Sequence, residues 1–111
     1  MSLPVLPGEP RWDEESDVAT ENVEKVETPR LWRVLLHNDD YTTMDFVIMI
    51  LEKIFLLGPV ESYSIMMNVH RKGIGVAGIF PREVAETKVA KATDLARANE
   101  FPLLVTMEPD E

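Results

Sequence analysis

The chain has 111 residues, no cysteine and a net charge of -9. That length suits one domain, and the missing cysteines remove disulfides, thiolate nucleophiles and zinc-thiolate sites together. The acidity disfavours duplex nucleic acid, which needs clustered Lys and Arg; no apolar run approaches the roughly 18–20 residues of a membrane span; and the start of the chain has neither a signal-peptide nor a transit-peptide pattern, so a cytoplasmic location is expected.

Residues 1–30 carry Pro4, Pro7, Pro10 and Pro29 and eight acids against three bases. Their apolar residues follow no period, so they cannot bury enough surface to offset the entropy of ordering. They are expected to form a flexible acidic arm ahead of a folded domain spanning 31–111. The domain opens with Trp32-Arg33-Val34-Leu35-Leu36-His37, a β-type alternation stopped by the turn formers Asn38-Asp39-Asp40. Thr42-Thr43-Met44-Asp45 resembles a capping box and predicts a helix to about Leu57. Its stripe is Met44, Val47, Leu51 and Ile54, widened by Phe46, Ile50 and Phe55. A helix this apolar is covered on several sides or leaves one side for a ligand.

Gly58-Pro59 closes that helix and begins another, to about Arg71, on which Met66, Val69 and His70 share a face. Gly73 and Gly75 break the chain before a second strand, Val76–Phe80. Pro81-Arg82-Glu83 starts a third helix to about Asn99, with Ala85, Val89, Ala92 and Ala96 as a narrow apolar stripe. Pro102 forbids its continuation, and Leu103–Met107 is the last strand. The order βααβαβ predicts an α+β sandwich, one three-stranded sheet with three helices on one face.

Chemistry-bearing residues gather at the first strand's end and on the second helix: His37, Asn38, Asp39, Asp40, Thr42 and His70. A hydrolase would need a nucleophile or a metal-bound water beside a histidine base. Ser62 and Ser64 sit in a helix without a nucleophile-elbow pattern, and His37-x-Asp39-Asp40 matches no spacing tied to a particular ion. A metal-dependent hydrolase built on His37, Asp39, Asp40 and His70 is the rival to a binding function. For binding, Asn38, Asp39 and a neutral His70 offer three acceptors and one negative charge. That set suits a primary ammonium, the ordinary state of a peptide's α-amino group near neutral pH. Met44, Val47, Met66 and Val69 supply apolar walls, and methionine adapts to bulky guests. Plainer roles stay open at this point: Asn38 and Asp39 as turn and cap residues, His70 as a helix C-terminal charge, the methionines as core.

Leu35-Leu36-His37-Asn38-Asp39-Asp40-Tyr41-Thr42-Thr43-Met44-Asp45-Phe46-Val47 resembles the signature of the Clp-protease adaptor family ClpS. So do Met66-Met67-Asn68-Val69-His70-Arg71-Lys72-Gly73 with Gly75-Val76-Ala77-Gly78, and Glu83-Val84-Ala85-Glu86-Thr87-Lys88. Phe101-Pro102-Leu103 fits the family's last loop and strand, so the resemblance covers about residues 31–108. It implies a non-enzymatic, monomeric adaptor without cofactor or metal. Such an adaptor binds N-end rule substrates beginning with Leu, Phe, Tyr or Trp and delivers them to a Clp-type AAA+ unfoldase. The resemblance implies that Asn38, Asp39 and His70 hold the α-amino group. It implies that Asp40, Thr42, Met44, Val47, Met66, Val69 and Leu103 shape or border the side-chain pocket, with Met44 as a gate against Ile and Val. Glu83 and Lys88 match positions that contact the unfoldase's N-terminal domain, and the acidic arm matches an extension used in delivery. Leu56-Leu57-Gly58-Pro59-Val60 departs from the polar connection expected there. A scaffold like the ribosomal stalk protein's C-terminal domain would share the fold but not the Asn38-Asp39-Asp40 corner paired with His70.

Overall fold

A computed structural model describes residues 28–111; most of the segment expected to be an arm lies outside them. The elements follow in the expected order. They are β1 (Leu31–His37), α1 (Met44–Lys53), α2 (Pro59–Lys72), β2 (Ile74–Pro81), α3 (Arg82–Ala98) and β3 (Leu104–Pro109). β1 lies in the middle of the sheet, antiparallel to both neighbours, in the order β2-β1-β3. Val34 pairs with Gly78 but Leu35 with Val76, so Ala77 is an extra residue bulged out of the ladder.

Alternation along the strands sends one set of side chains into the helices. Val34, Leu36, Ala77 and Val105 are buried there against Phe46, Val47, Ile50 and Leu51 of α1, Met66 and Val69 of α2, and Ala85, Ala92 and Ala96 of α3. The alanine stripe lets α3 lie close to the sheet. The opposite sheet face has no layer over it among the described residues, and Ile74, Val76, Ile79 and Leu104 are exposed on it. The domain is therefore the expected α+β sandwich with its helices on one face.

Several boundaries differ from the sequence expectation, and at both ends of α1 the reason is local. Thr43, not Thr42, caps α1: its hydroxyl oxygen accepts from the Phe46 N–H at 3.1 Å. The Thr42 hydroxyl is already engaged by Asp39. α1 also ends at Lys53 rather than near Leu57, because Leu56 takes a left-handed conformation (φ 59°) and the Leu57 N–H returns to the Leu51 carbonyl. At the end of α3, Glu100 (φ 62°) fills the position where glycine is usual, and the Phe101 N–H closes on the Ala96 carbonyl at 2.9 Å. That closure sets the Phe101 ring 4.7 Å from Phe46. β2 is longer than expected, starting at Ile74.

Candidate functional site

The loop leaving β1 and the C-terminal half of α2 are brought together by backbone. The Asn38 N–H donates to the Gly73 carbonyl at 2.9 Å. Gly73 is the left-handed C-cap of α2 (φ 89°), and its own N–H closes on Val69, so His70 lies within the last turn beside that contact. Gly75 then lets β2 approach α2 closely. A Cβ there would lie 2.7 Å from Val69 Cγ2 and 3.2 Å from the Ile65 carbonyl oxygen.

Between this corner and the start of α1 is a cleft of about 410 Å³, within the size range of small-ligand sites. Met44, Val47, Met66 and Val69 form its apolar part. Val47, Met66 and Val69 are buried, while Met44 is 42% exposed and stands at the mouth. Asn38, Asp39, Asp40, Thr42 and His70 supply its polar side. Leu103, expected to border this pocket, is buried in the core and is not among the lining residues. Tyr41 and Thr43 line the cleft without having been expected there. Tyr41 is 75% exposed at the rim; its place between Asp40 and Thr42 was the signal available in the sequence.

Asp39 organises the loop. Its Oδ1 accepts from the Tyr41 N–H at 2.8 Å and the Thr42 N–H at 2.7 Å, and its Oδ2 accepts from the Thr42 hydroxyl at 2.7 Å. Partial burial pushes this carboxyl up, but the three hydrogen bonds from Thr42 and Tyr41 outweigh it and hold the group below its ordinary value of 3.8. A carboxylate has about four acceptor positions, so Oδ2 keeps one unused among the described residues, together with the negative charge. Asp39 is thus a turn former that also faces the cleft. The Asn38 amide and the His70 ring have no hydrogen-bond partner among the described residues and stay available.

His37 does not join this cleft. Its Nε2 lies 2.8 Å from the Thr106 hydroxyl oxygen, across the β1–β3 ladder. Among the described residues no three or more His, Asp or Glu side chains are grouped to hold a metal ion. The rival set of His37, Asp39, Asp40 and His70 is therefore not assembled in one place.

Glu83 and Lys88 lie at the other end of α1. They line a groove of about 480 Å³ with Lys53, Ile54, Leu56 and Lys91. The Lys88 ammonium donates to the Ile54 carbonyl at 2.8 Å, capping the end of α1, and sits 5.3 Å from the Phe80 ring and 5.8 Å from that of Phe55. Leu56, from the connection that departs from the family pattern, lines the same groove. No helix among the described residues is long and apolar enough to cross a membrane.

Residues 16–106 match the family model for the ATP-dependent Clp protease adaptor protein ClpS, a match that begins inside the segment expected to be an arm. An ATP-dependent Clp protease adapter protein ClpS of Desulfatibacillum aliphaticivorans is 51% identical over 94 residues, covering 85% of this chain and 90% of that protein. The ClpS of Deinococcus radiodurans is 48% identical over 112 residues, covering 99% and 96%. Among solved structures, Agrobacterium tumefaciens ClpS2 bound to L-phenylalaninamide superposes with a TM-score of 0.72 at 41% identity, covering 75% of this chain and all of that one.

Proposed function

Since the chain belongs to the ClpS family of Clp protease adaptors, we propose that its cleft grips the first residue of a substrate protein and that the adaptor passes that substrate, unmodified, to a Clp-type AAA+ unfoldase. The observation that carries this reading is the pairing, in one cleft, of acceptors at Asn38, Asp39 and His70 with apolar walls at Met44, Val47, Met66 and Val69. The solved relative holds L-phenylalaninamide, a molecule with a free α-amino group and an aromatic side chain. The same two features fit the two halves of this cleft.

In the proposed complex the α-ammonium donates to the Asn38 amide oxygen, to Asp39 Oδ2 and to an unprotonated nitrogen of His70. Charge-assisted bonds of this kind are worth about 1.5–3 kcal/mol each. The side chain of Leu, Phe, Tyr or Trp enters between Met66, Val69 and Val47, with Asp40 and Thr42 at its border and Met44 over the mouth. Burying an aromatic side chain removes about 150–250 Å² from water, or roughly 4–6 kcal/mol before association costs. Together these terms support micromolar or tighter binding. A Met44 side chain that closes over an unbranched Cβ meets the second Cβ substituent of Ile or Val, which sets the selectivity.

Delivery uses the far end of α1. There Glu83 and Lys88 are read as facing the unfoldase, with Lys88 also holding the Ile54 carbonyl, and segment 1–30 is read as serving delivery. The test of the cleft is a pair of peptides that begin with Phe, one N-acetylated, measured by fluorescence anisotropy. The free peptide is expected to bind and the acetylated one to lose at least 100-fold, since about 3 kcal/mol or more is forfeited. Equal affinity would refute the ammonium grip.

A further inference from the structure

Two grooves run into one another along α3. The first, about 540 Å³, is lined by Pro29, Arg30, Trp32 and Arg82 and continues through Glu83 and Val84. Glu83 and Val84 also line the second groove, whose far side carries Lys53, Lys88 and Lys91. Pro29 and Arg30, at the start of the described residues, line the first groove, so residues 1–27 are tethered at that end.

The cations along this path are unequal. Arg30 pairs with Glu111, and Arg82 pairs with Glu86 while lying over the Trp32 ring. Lys53, Lys88 and Lys91 form no ion pair among the described residues, and Glu83 is the single carboxylate lining their groove. Ile54, Leu56 and Val84 add an apolar floor. A groove with three ammonium groups and an apolar floor fits an acidic, partly apolar peptide segment.

The chain itself contains one. Residues 1–27 hold eight acids and two bases, six of the nine net negative charges of the whole chain, with four of those acids in Asp13-Glu14-Glu15-Ser16-Asp17. The ten residues Val18–Glu27 span roughly 33–36 Å when extended, whereas Glu83 to Lys91 covers roughly 12 Å of helix. We propose that the acidic segment around Asp13–Asp17 docks, in the same molecule, on the groove of Lys53, Lys88 and Lys91. Because Glu83 and Lys88 line that groove, docking covers the surface assigned above to the unfoldase. This consequence rests on the preceding functional reading; the docking itself does not, and it is tested without substrate or unfoldase.

The chain has no cysteine, so Ser16→Cys places a single nitroxide label while keeping every acid. In the full-length labelled protein, amide signals of Thr87–Lys91 are expected to lose at least threefold more intensity than those of Tyr41–Thr43 at about 20 mM salt. They are expected to recover near 0.5 M salt, where charges are screened within a few ångströms. Lys53→Glu with Lys91→Glu should abolish the effect. So should Asp13→Asn, Glu14→Gln, Glu15→Gln and Asp17→Asn together, a variant that leaves residues 28–111 untouched. Absence of α3 broadening at low salt overturns the proposal, as does broadening that survives these charge changes or centres on the cleft. A mixture of spin-labelled and separately ¹⁵N-labelled chains that broadens as strongly would make a second copy the occupant, and would overturn it too.

Discussion

Gly75→Ala couples the packing of the sheet to the shape of the cleft. The added methyl carbon would sit 2.7 Å from Val69 Cγ2 and 3.2 Å from the Ile65 carbonyl oxygen. Carbon atoms settle about 3.5–4.0 Å apart, so α2 must withdraw from β2 by roughly 1 Å, or Val69 must leave its rotamer. Overpacking of this size costs about 1–3 kcal/mol. Against it stands the stabilisation of about 0.4–1 kcal/mol that replacing glycine brings through the unfolded chain. A net loss of about 1–2 kcal/mol follows, a fall in Tm of about 4–8 °C per kcal/mol for a domain of this size. Val69→Ala alone removes a buried side chain and costs about 2 kcal/mol. It also removes the atom that the methyl added by Gly75→Ala would strike, so the double variant should be more stable than the sum of the two losses by about 1 kcal/mol. Urea unfolding of the four proteins reads the cycle, and phenylalanyl-peptide affinity should weaken in Gly75→Ala as the Val69 wall shifts. A Gly75→Ala protein as stable as its parent, or strictly additive losses, would refute the close-approach reasoning.

Asp39 sets an acid-side limit on stability. Above pH 3.8 it is ionised in both folded and unfolded chains, and its bonds from Thr42 and Tyr41 contribute in full. As pH falls below 3.8 the unfolded chain takes the proton first, and the contribution disappears as pH drops through the lower folded value. Asp39→Asn should therefore flatten the fall in urea-unfolding stability between about pH 4 and 2, and an unchanged slope would contradict it. Lys88→Met removes the donor from the Ile54 carbonyl and should cost about 1.5–3 kcal/mol in thermal unfolding, with Lys88→Arg costing less; an unaltered melt would show that the carbonyl does not need it. Met44→Ala, at a 42% exposed position, should cost under about 1.5 kcal/mol yet admit peptides beginning with Ile or Val. Unchanged selectivity in a binding array would remove Met44 as gate.

Much of this molecule can be read from residue pattern alone, because the pattern is the cause. Alternation over Trp32–His37 and the alanine stripe of α3 fix which faces go inward, and the Gly58-Pro59 and Gly73 breaks fix where helices change. The Asn38-Asp39-Asp40 corner and His70 stand out because polar groups flank an apolar helix there. What escapes is long-range. The capping-box pattern points to Thr42 as the cap of α1; the Asp39 carboxylate, which takes the Thr42 hydroxyl, leaves the cap to Thr43. The left-handed turn at Leu56 has no glycine to announce it. Lys88 resembles any surface lysine until the fold brings it to the Ile54 carbonyl, 34 residues away in sequence. Leu103, next to a family-like Phe-Pro pair, is buried in the core rather than lining the cleft.

The central strand has a consequence for distance. β1 begins beside Arg30 and ends beside Asn38, and its six residue steps from Leu31 to His37 span roughly 20 Å. On the proposed reading, a guest seated by its first residue beside Asn38 and an unfoldase drawing on the segment ahead of Leu31 would occupy opposite poles of the domain. Bridging that gap takes at least about six residues of extended leader, so guests whose folded body begins sooner than that should be handed over poorly.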